Sequence, residues 1–358
     1  MLFDPLDAGS LHFQNRIVMA PMTRSRAVQA NTANALMAEY YGQRATAGLI
    51  VTEGTSPSPN GLGYTRIPAL YNQAHVKGWR AVTTAVHERG ARIFVQLMHT
   101  GRVTHVANLP AGAEVLGPSS VPCPGEMYTD SGGLQPHSVP RSMTAADIEH
   151  VVGEYAQAAR LAVEAGFDGV ELHAANGYLL EQFLNPLVND RVDGYGGTIE
   201  GRNRLAIEIA RATVAAIGAD RVGMRLSPYG IFNSTGEFPE VEPQYLALAH
   251  ELSSIGLLYL HLLDHSATGA PPVPAAFKVR LRSSFDGLLI LAGGFDRAAA
   301  ESALAEGRAD LIAFGRPFLA NPDLVARLRT GAPLNTPDPA TLYTAGAKGY
   351  TDYLQPAA

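Results

Sequence analysis

Eight short apolar runs divide this chain at near-regular intervals, and that rhythm limits its fold more than any other feature. They are Ile17–Ala20, Leu49–Thr52, Ile93–Leu97, Gly169–Leu172, Val222–Leu226, Leu257–Leu262, Leu288–Leu291 and Leu311–Phe314. Runs of this length with no polar alternation read as strands buried on both faces. Between them lie segments with apolar residues at helical spacing: Ala35–Ala47, Ala74–Glu88, Ala145–Ala165, Arg202–Ile217, Gln244–Ser254, Ala275–Ser283, Ala298–Glu306 and Asp323–Arg329. Thr144, three residues before Asp147, marks a helix start, and Gly48, Gly90, Gly166, Gly218 and Gly256 follow helix ends.

Strands that alternate with helices imply a parallel sheet, because parallel neighbours need a crossover. Eight of them suggest closure into a (β/α)₈ TIM barrel, which needs ~250 residues before insertions. The chain has 358 residues, and the surplus has a place. Phe3–Leu6 and Leu11–Phe13 read as an N-terminal β-hairpin that plugs one end of the barrel. Thr100–Arg141 is a long Pro-, Gly- and Ser-rich excursion after strand three, expected to form a lid or small β-subdomain. An open doubly wound sheet is the structural alternative, but its dinucleotide fingerprint is missing: Gly61-Leu62-Gly63-Tyr64-Thr65-Arg66 lacks the third glycine and a strand–helix setting. With no repeat, low-complexity tract or linker, residues 1–358 are expected to be one domain.

Composition removes several function classes. A formal net charge of -6 offers no basic face for nucleic acid. No apolar run approaches the ~18 residues needed to span a bilayer. The opening Met1–Asp7 lacks a cationic segment leading into an apolar run, which argues against a secretory signal and makes a cytoplasmic location the expectation. Cys123 is the sole cysteine, so this chain can build neither a disulfide framework nor an iron–sulfur cluster by itself. Trp79 sits on a helical face and reads as packing.

In such barrels the chemistry lies at the carboxyl ends of the strands. Strand one ends in Ala20-Pro21-Met22-Thr23, strand two in Glu53-Gly54-Thr55, and strand three carries Gln96. Strand four runs into His173, Asn176 and Tyr178, an imidazole, an amide and a phenol that together can grip an electron-rich oxygen and deliver a proton. Strand five carries Arg225, strand seven ends in Ala292-Gly293-Gly294, and strand eight in Phe314-Gly315-Arg316. Glycines after strands seven and eight let backbone N–H groups approach phosphate oxygens, and Arg316 adds a bidentate cation. With Gln96, Thr23 and Arg225 suited to a planar polar heteroaromatic, the set describes a flavin mononucleotide across the barrel mouth.

Taken singly, each residue has a plainer role. Gly-Gly is a common turn, as is Asn176-Gly177. Arg225 could pair with Glu53 or Glu171, and Gln96 could satisfy backbone groups. His99 reads as structural or as a support behind the site residues, and Cys123 is given no role. His261 and His265 bracket Asp264 and raise a metal alternative, yet neither His-x-His after strand one nor His-Glu-x-x-His occurs, and no metal is expected. A flavin-free aldolase would want a lysine at a strand end, but Lys77, Lys278 and Lys348 lie off the strands. An amidohydrolase would want the missing metal ligands. A non-catalytic flavin-binding scaffold would not need both a proton donor and an oxygen clamp.

From Leu2 to Tyr353 the chain resembles the old yellow enzyme family of FMN-dependent ene-reductases. The likeness is carried by Asn15-Arg16-Ile17-Val18-Met19-Ala20-Pro21-Met22-Thr23-Arg24, Gly48-Leu49-Ile50-Val51-Thr52-Glu53, Val95-Gln96-Leu97-Met98-His99-Thr100-Gly101-Arg102 and Gly166-Phe167-Asp168-Gly169-Val170-Glu171-Leu172-His173. Asn189-Asp190-Arg191-Val192-Asp193-Gly194-Tyr195-Gly196-Gly197 and Phe314-Gly315-Arg316-Pro317 complete it. The resemblance implies a reductase of alkenes activated by a carbonyl or nitro group, with FMN as cofactor and NADPH or NADH as reductant. It implies FMN against Pro21, Met22, Thr23, Gly54, Gln96, His173, Asn176, Arg225, Ala292, Gly293, Gly294, Phe314, Gly315 and Arg316. Thr23 would bond the flavin O4, and Gln96 and Arg225 would hold the pyrimidine edge. Gly294, Gly315 and Arg316 would take the phosphate. His173 and Asn176 would clamp the substrate oxygen and Tyr178 would donate the proton, with Tyr64, Met98 and Tyr350 lining the substrate cavity. Partners are then small molecules, and the chain is expected as a monomer or homodimer. Thr23 places it in the branch without a cysteine after strand one. It departs from relatives at Asn176, where some carry His, at Met98, where an aromatic is common, and at Gly201, where Asn is usual.

Overall fold

The structure, a computed structural model, describes residues 1–353. The eight apolar runs become β1 (Ile17–Met19), β2 (Leu49–Val51), β3 (Arg92–Leu97), β4 (Gly169–Ala174), β5 (Val222–Leu226), β6 (Tyr259–Leu263), β7 (Leu288–Ala292) and β8 (Leu311–Phe314). Their hydrogen-bonded order is β4-β5-β6-β7-β8-β1-β2-β3, and β3 returns to β4, so the parallel sheet closes into a (β/α)₈ barrel. Outside it lie α1 (Ala35–Gln43), α2 (Gln73–His87), α3 (Ala145–Glu164), α4 (Leu179–Leu184), α5 (Ile199–Ile217), α6 (Val241–Ile255), α7 (Ala275–Ser283), α8 (Arg297–Ala305), α9 (Arg316–Ala320) and α10 (Leu324–Thr330). No helix among the described residues is long and apolar enough to cross a membrane.

Local chemistry sets the helix starts. The Thr144 hydroxyl accepts from the Asp147 N–H at 3.2 Å, and the Asp147 carboxylate accepts from the Thr144 N–H at 2.7 Å, a reciprocal cap on α3. α4 and α9 escaped the sequence reading because they are too short to show a helical period.

The hairpin pairs Leu6–Ala8 with Leu11–Phe13, so its first strand begins later than the expected Phe3. Tertiary docking takes the first residues away. The Leu2 N–H bonds Glu301 of α8 at 3.1 Å, and Phe3 lies beneath the guanidiniums of Arg297 and Arg329. The hairpin still plugs the barrel: Ala8, Leu11 and Phe13 pack with Val18, Val51, Phe94, Tyr259, Ile290 and Leu311 at the amino end.

The excursion is a small β structure. Glu126–Thr129 pairs antiparallel with Gly133–Pro136, and Leu116–Gly117 pairs with Arg141–Ser142. Its Val103, Leu109, Cys123 and Met127 pack on Leu62, Met98 and Tyr178, which gives Cys123 a packing role. Arg102 fastens it, donating to the carbonyls of Val121, Pro122, Asn233 and Ser234. The sheet thereby covers one side of the barrel mouth.

At Gly201 the Gly196 carbonyl approaches so closely that an added Cβ would lie 2.3 Å from its oxygen. The departure from Asn matches this close crossing of the loop before α5.

Candidate active site

Strand register builds the site from below. Gln96 lies opposite Glu171, His173 opposite Arg225, and Arg225 opposite His261. These inward residues form a polar layer above the apolar plug. Glu171 is its hub, accepting from Gln96 Nε2 at 2.8 Å, His261 Nδ1 at 2.9 Å and the Tyr259 hydroxyl at 3.1 Å. Burial opposes its charge, but His261, Arg225 and these donors hold the carboxyl below its usual range. Burial lowers His261, and at 2.9 Å its Nδ1–H donates to the carboxylate. Burial also lowers the Arg225 guanidinium, with Glu171 opposing. Arg225 makes no ion pair of its own among the described residues; Glu53 instead accepts from the main chain of Arg24 and Ser25 and from Tyr41.

Above this layer two cavities open. One, of about 450 Å³, runs along the ends of β6, β7 and β8 and is walled by Ala292, Gly293, Gly294, Phe314, Gly315, Arg316, Phe232 and His265. The other, of about 330 Å³, lies over β1 to β5 and is walled by Thr23, Arg24, Gly54, Gln96, Met98, His173, Tyr178 and Tyr343. Pro21, Met22, Asn176, Arg225 and Arg316 wall both. Each residue expected against FMN therefore borders one continuous mouth.

His173 is buried, and that desolvation, with Arg225, His261 and His265 nearby, lowers its imidazole well below the usual value, so it is neutral. Tyr178 stands at the N-terminus of α4 with its ring edge-on to His173, centroids 4.9 Å apart. Burial pushes its phenol up to about 12, so it keeps its proton at neutral pH. Asn176 and Gly177 both adopt left-handed backbone, φ 60° and 74°. A Cβ at Gly177 would lie 2.6 Å from the Phe232 carbonyl oxygen, so this turn needs glycine. Glu181, one turn into α4, accepts from the Gly177 N–H at 2.5 Å, Ser227 at 2.9 Å and Tyr245 at 3.1 Å.

Two tyrosines differ from expectation. Tyr64 stands behind Tyr178 rather than in the cavity wall, their hydroxyls 2.9 Å apart. Tyr350 is fully buried and stacks on Tyr40 at 4.0 Å, facing Arg24 and Arg26, away from the cavity. Tyr343, missed from the sequence, takes that wall because Arg24 and Arg26 tie the Leu342 carbonyl and arch the segment over the mouth. No local pattern separates the two; only this arch does. The histidines of the metal alternative diverge, His261 to Glu171 and His265 to Asn176. Among the described residues no group of three or more His, Cys, Asp or Glu could hold a metal. Lys278, in α7, pairs with Asp264 at 2.6 Å. His99 is buried and is lowered by desolvation to about 3, with its Nδ1 accepting from the Gly101 N–H at 3.0 Å.

A parallel barrel with a glycine-lined cleft after its last two strands and a neutral His, an Asn and a Tyr after its fourth defines a nucleotide-cofactor oxidoreductase. The chain belongs to the NADH:flavin oxidoreductase / NADH oxidase family, whose model matches residues 1–335. It is 42% identical over 358 residues to a protein of Leishmania infantum named as a probable flavin mononucleotide-dependent alkene reductase, covering 99% of this chain and 97% of that one. It is 39% identical to 12-oxophytodienoate reductase 1 of Oryza sativa subsp. japonica, covering 98% and 92%. Among solved structures, morphinone reductase superposes with a TM-score of 0.95 at 43% identity, covering 99% and 96%. An old yellow enzyme homologue from Zymomonas mobilis gives 0.94 at 39%, covering 99% of both. The chain is thus an FMN-dependent, NAD(P)H-using oxidoreductase of the ene-reductase type.

The residues present fit that cofactor. Arg225 Nε and His173 Nδ1 are buried without a hydrogen-bond partner among the described residues. Gly315 lies in the cleft wall, where an added Cβ would sit 3.7 Å from Met22 Sδ and 3.9 Å from Ala20 Cβ.

Proposed function

We propose that this protein reduces the carbon–carbon double bond of alkenes conjugated to a carbonyl or nitro group (enones, enals, maleimides and nitroalkenes), and that the same oxygen clamp admits nitro esters, whose O–N bond would be the one reduced. The observation that carries this reading is the convergence of His173, Asn176 and Tyr178 on one 330 Å³ cavity that adjoins the glycine-lined cleft.

Gly293, Gly294, Gly315 and Arg316 would take the FMN phosphate, while Thr23, Gln96 and Arg225 would hold its ring. Gln96 Nε2 donates one of its hydrogens to Glu171, an orientation that would let its carbonyl oxygen accept from a ring N–H. Bound there, FMN would supply hydride chemistry for the alkene, with NADPH or NADH as the reductant. His173 and Asn176 donate to the substrate oxygen. Their effect is largest on the negative charge that grows there as the reaction proceeds, since only interactions stronger in the transition state accelerate it. Tyr178 gives its proton to the α-carbon, and the Tyr64 hydroxyl, 2.9 Å away, can replace that proton. The excursion, packed on Met98 and Tyr178, and Tyr343 in the wall flank the cavity.

The test is direct. Purified protein should carry oxidised-flavin bands at roughly 380 and 460 nm and should oxidise NADPH or NADH on addition of an enone. A colourless protein that takes up no FMN, or a yellow one inert toward every enone, nitroalkene and maleimide offered, sinks the reading.

A further inference from the structure

Asn176 has four polar groups, and three are already engaged. Its N–H donates to Ser227 Oγ at 2.9 Å. Its carbonyl accepts from Asn233 Nδ2 at 2.7 Å. Its side-chain Oδ1 lies 2.8 Å from His265 Nε2. Only the amide NH₂ is left for the cavity, and the NH₂ is the donor that a substrate oxygen needs.

An amide can turn end for end at little steric cost, and the turned form would set its carbonyl against the substrate oxygen. Something must choose between the two orientations. We propose that His265 is the positioning residue that makes this choice: its Nε2–H holds Asn176 Oδ1 and so directs the amide NH₂ into the substrate cavity. The proposal rests on the reading of Asn176 as half of the oxygen clamp.

His265 is itself well held. It follows β6, its carbonyl accepts from the Thr268 N–H and hydroxyl at 2.8 Å each, and its ring lies 4.4 Å from that of Phe232. Asp264 pins the same loop through the Ser266 N–H at 3.0 Å and Lys278 at 2.6 Å. Burial, with Arg225 nearby, lowers the imidazole to about 4. At neutral pH it is therefore uncharged, one nitrogen carries hydrogen, and pairing with a carbonyl oxygen requires that nitrogen to be Nε2. A fixed neutral donor removes the amide's freedom without adding charge to the cavity.

The experiment titrates FMN-loaded protein with 4-chlorophenol and follows the flavin absorbance. His265→Phe keeps a ring against Phe232 but removes the donor, and should weaken phenol binding about fivefold, the worth of one ordinary hydrogen bond. His265→Gln restores an N–H at similar reach and should bind nearly as the wild type does. In an Asn176→Ala background His265→Phe should have no further effect on phenol binding, each protein being saturated with FMN before the titration. Wild-type phenol affinity in His265→Phe, or the same loss with and without Asn176, overturns the proposal. If Asn176→Ala by itself leaves phenol binding unchanged, the clamp reading falls and takes the proposal with it. Loss in Asn176→Ala without loss in His265→Phe sinks the proposal alone.

Discussion

At the amino end of the barrel, Leu11 and Phe13 of the hairpin press on Phe94, Tyr259, Ile290 and Leu311, and every side chain is covered by another. At the carboxyl end the same strands present Gln96, Glu171, His173, Arg225 and His261, all buried, with Arg225 Nε and His173 Nδ1 lacking partners. The backbone differs as well. Ser25, Asn176, Tyr229, Asn233 and Ser234 hold left-handed conformations without being glycine, and all lie in loops that follow barrel strands at the mouth. Such conformations cost roughly 1 kcal/mol or more each and persist where surrounding contacts impose them. One end is complete in itself. The other is held open, and in part destabilised, in readiness for polar ligands.

This contrast can be broken experimentally. The largest effect is expected at the mouth. Tyr178→Phe should slow alkene reduction by about 10²–10⁴-fold while the flavin is still reduced at its normal rate, as stopped-flow measurement of each half-reaction would show. An unchanged alkene rate would remove Tyr178 from the proposed donor role. At the plug, Phe13→Ala should cost about 3–5 kcal/mol of stability in urea unfolding and leave 4-chlorophenol affinity alone. If it alters the affinity, the two ends are coupled and the division between them is false.

A third prediction concerns pH. Burial pushes the Glu181 carboxyl up to about 7 from its ordinary 4.5, against the donors Gly177, Ser227 and Tyr245. The folded protein therefore holds this proton more tightly than the unfolded chain does. Its contribution to stability is complete below about 4.5 and is lost as pH rises through 7. Relative to Glu181→Gln, the wild type should lose a few kcal/mol, on the order of 3, between those limits. Parallel urea midpoints for the two proteins across that range would mean the carboxyl titrates normally.

The smallest effect is expected at Tyr350. Its hydroxyl is buried with no partner among the described residues, so Tyr350→Phe should be neutral or stabilising by about 1 kcal/mol. A changed KM for the alkene would return Tyr350 to the cavity wall that Tyr343 occupies.

How much of this was legible in the sequence depended on the range of the deciding contact. Apolar runs of four to six residues between helical periods announce buried parallel strands, because side-chain direction in each element follows from local geometry. Gln96, His173 and Arg225 could be placed at the mouth for the same reason: each sits near the carboxyl end of such a run. The Thr144 cap on α3 is likewise a matter of three residues. By contrast, Tyr343 and Tyr350 stand seven positions apart in an irregular segment. Which of them faces the cavity is set by Arg24 and Arg26, more than 300 positions away.

His265 and Glu181 show the same division. The sequence offered His265 beside His261 as a pair of metal-type ligands, and nothing local says that the two rings part company. The sequence by itself determined the barrel, the plug at one end and the polar residue types at the other, since periodicity and strand ends are local properties. Only the tertiary structure decided which side chains meet over the mouth: Tyr64 behind Tyr178, Glu181 beneath Gly177, His265 on the Asn176 amide. Loops from different strands cross there, and their conformation is fixed by contacts between residues far apart in the chain.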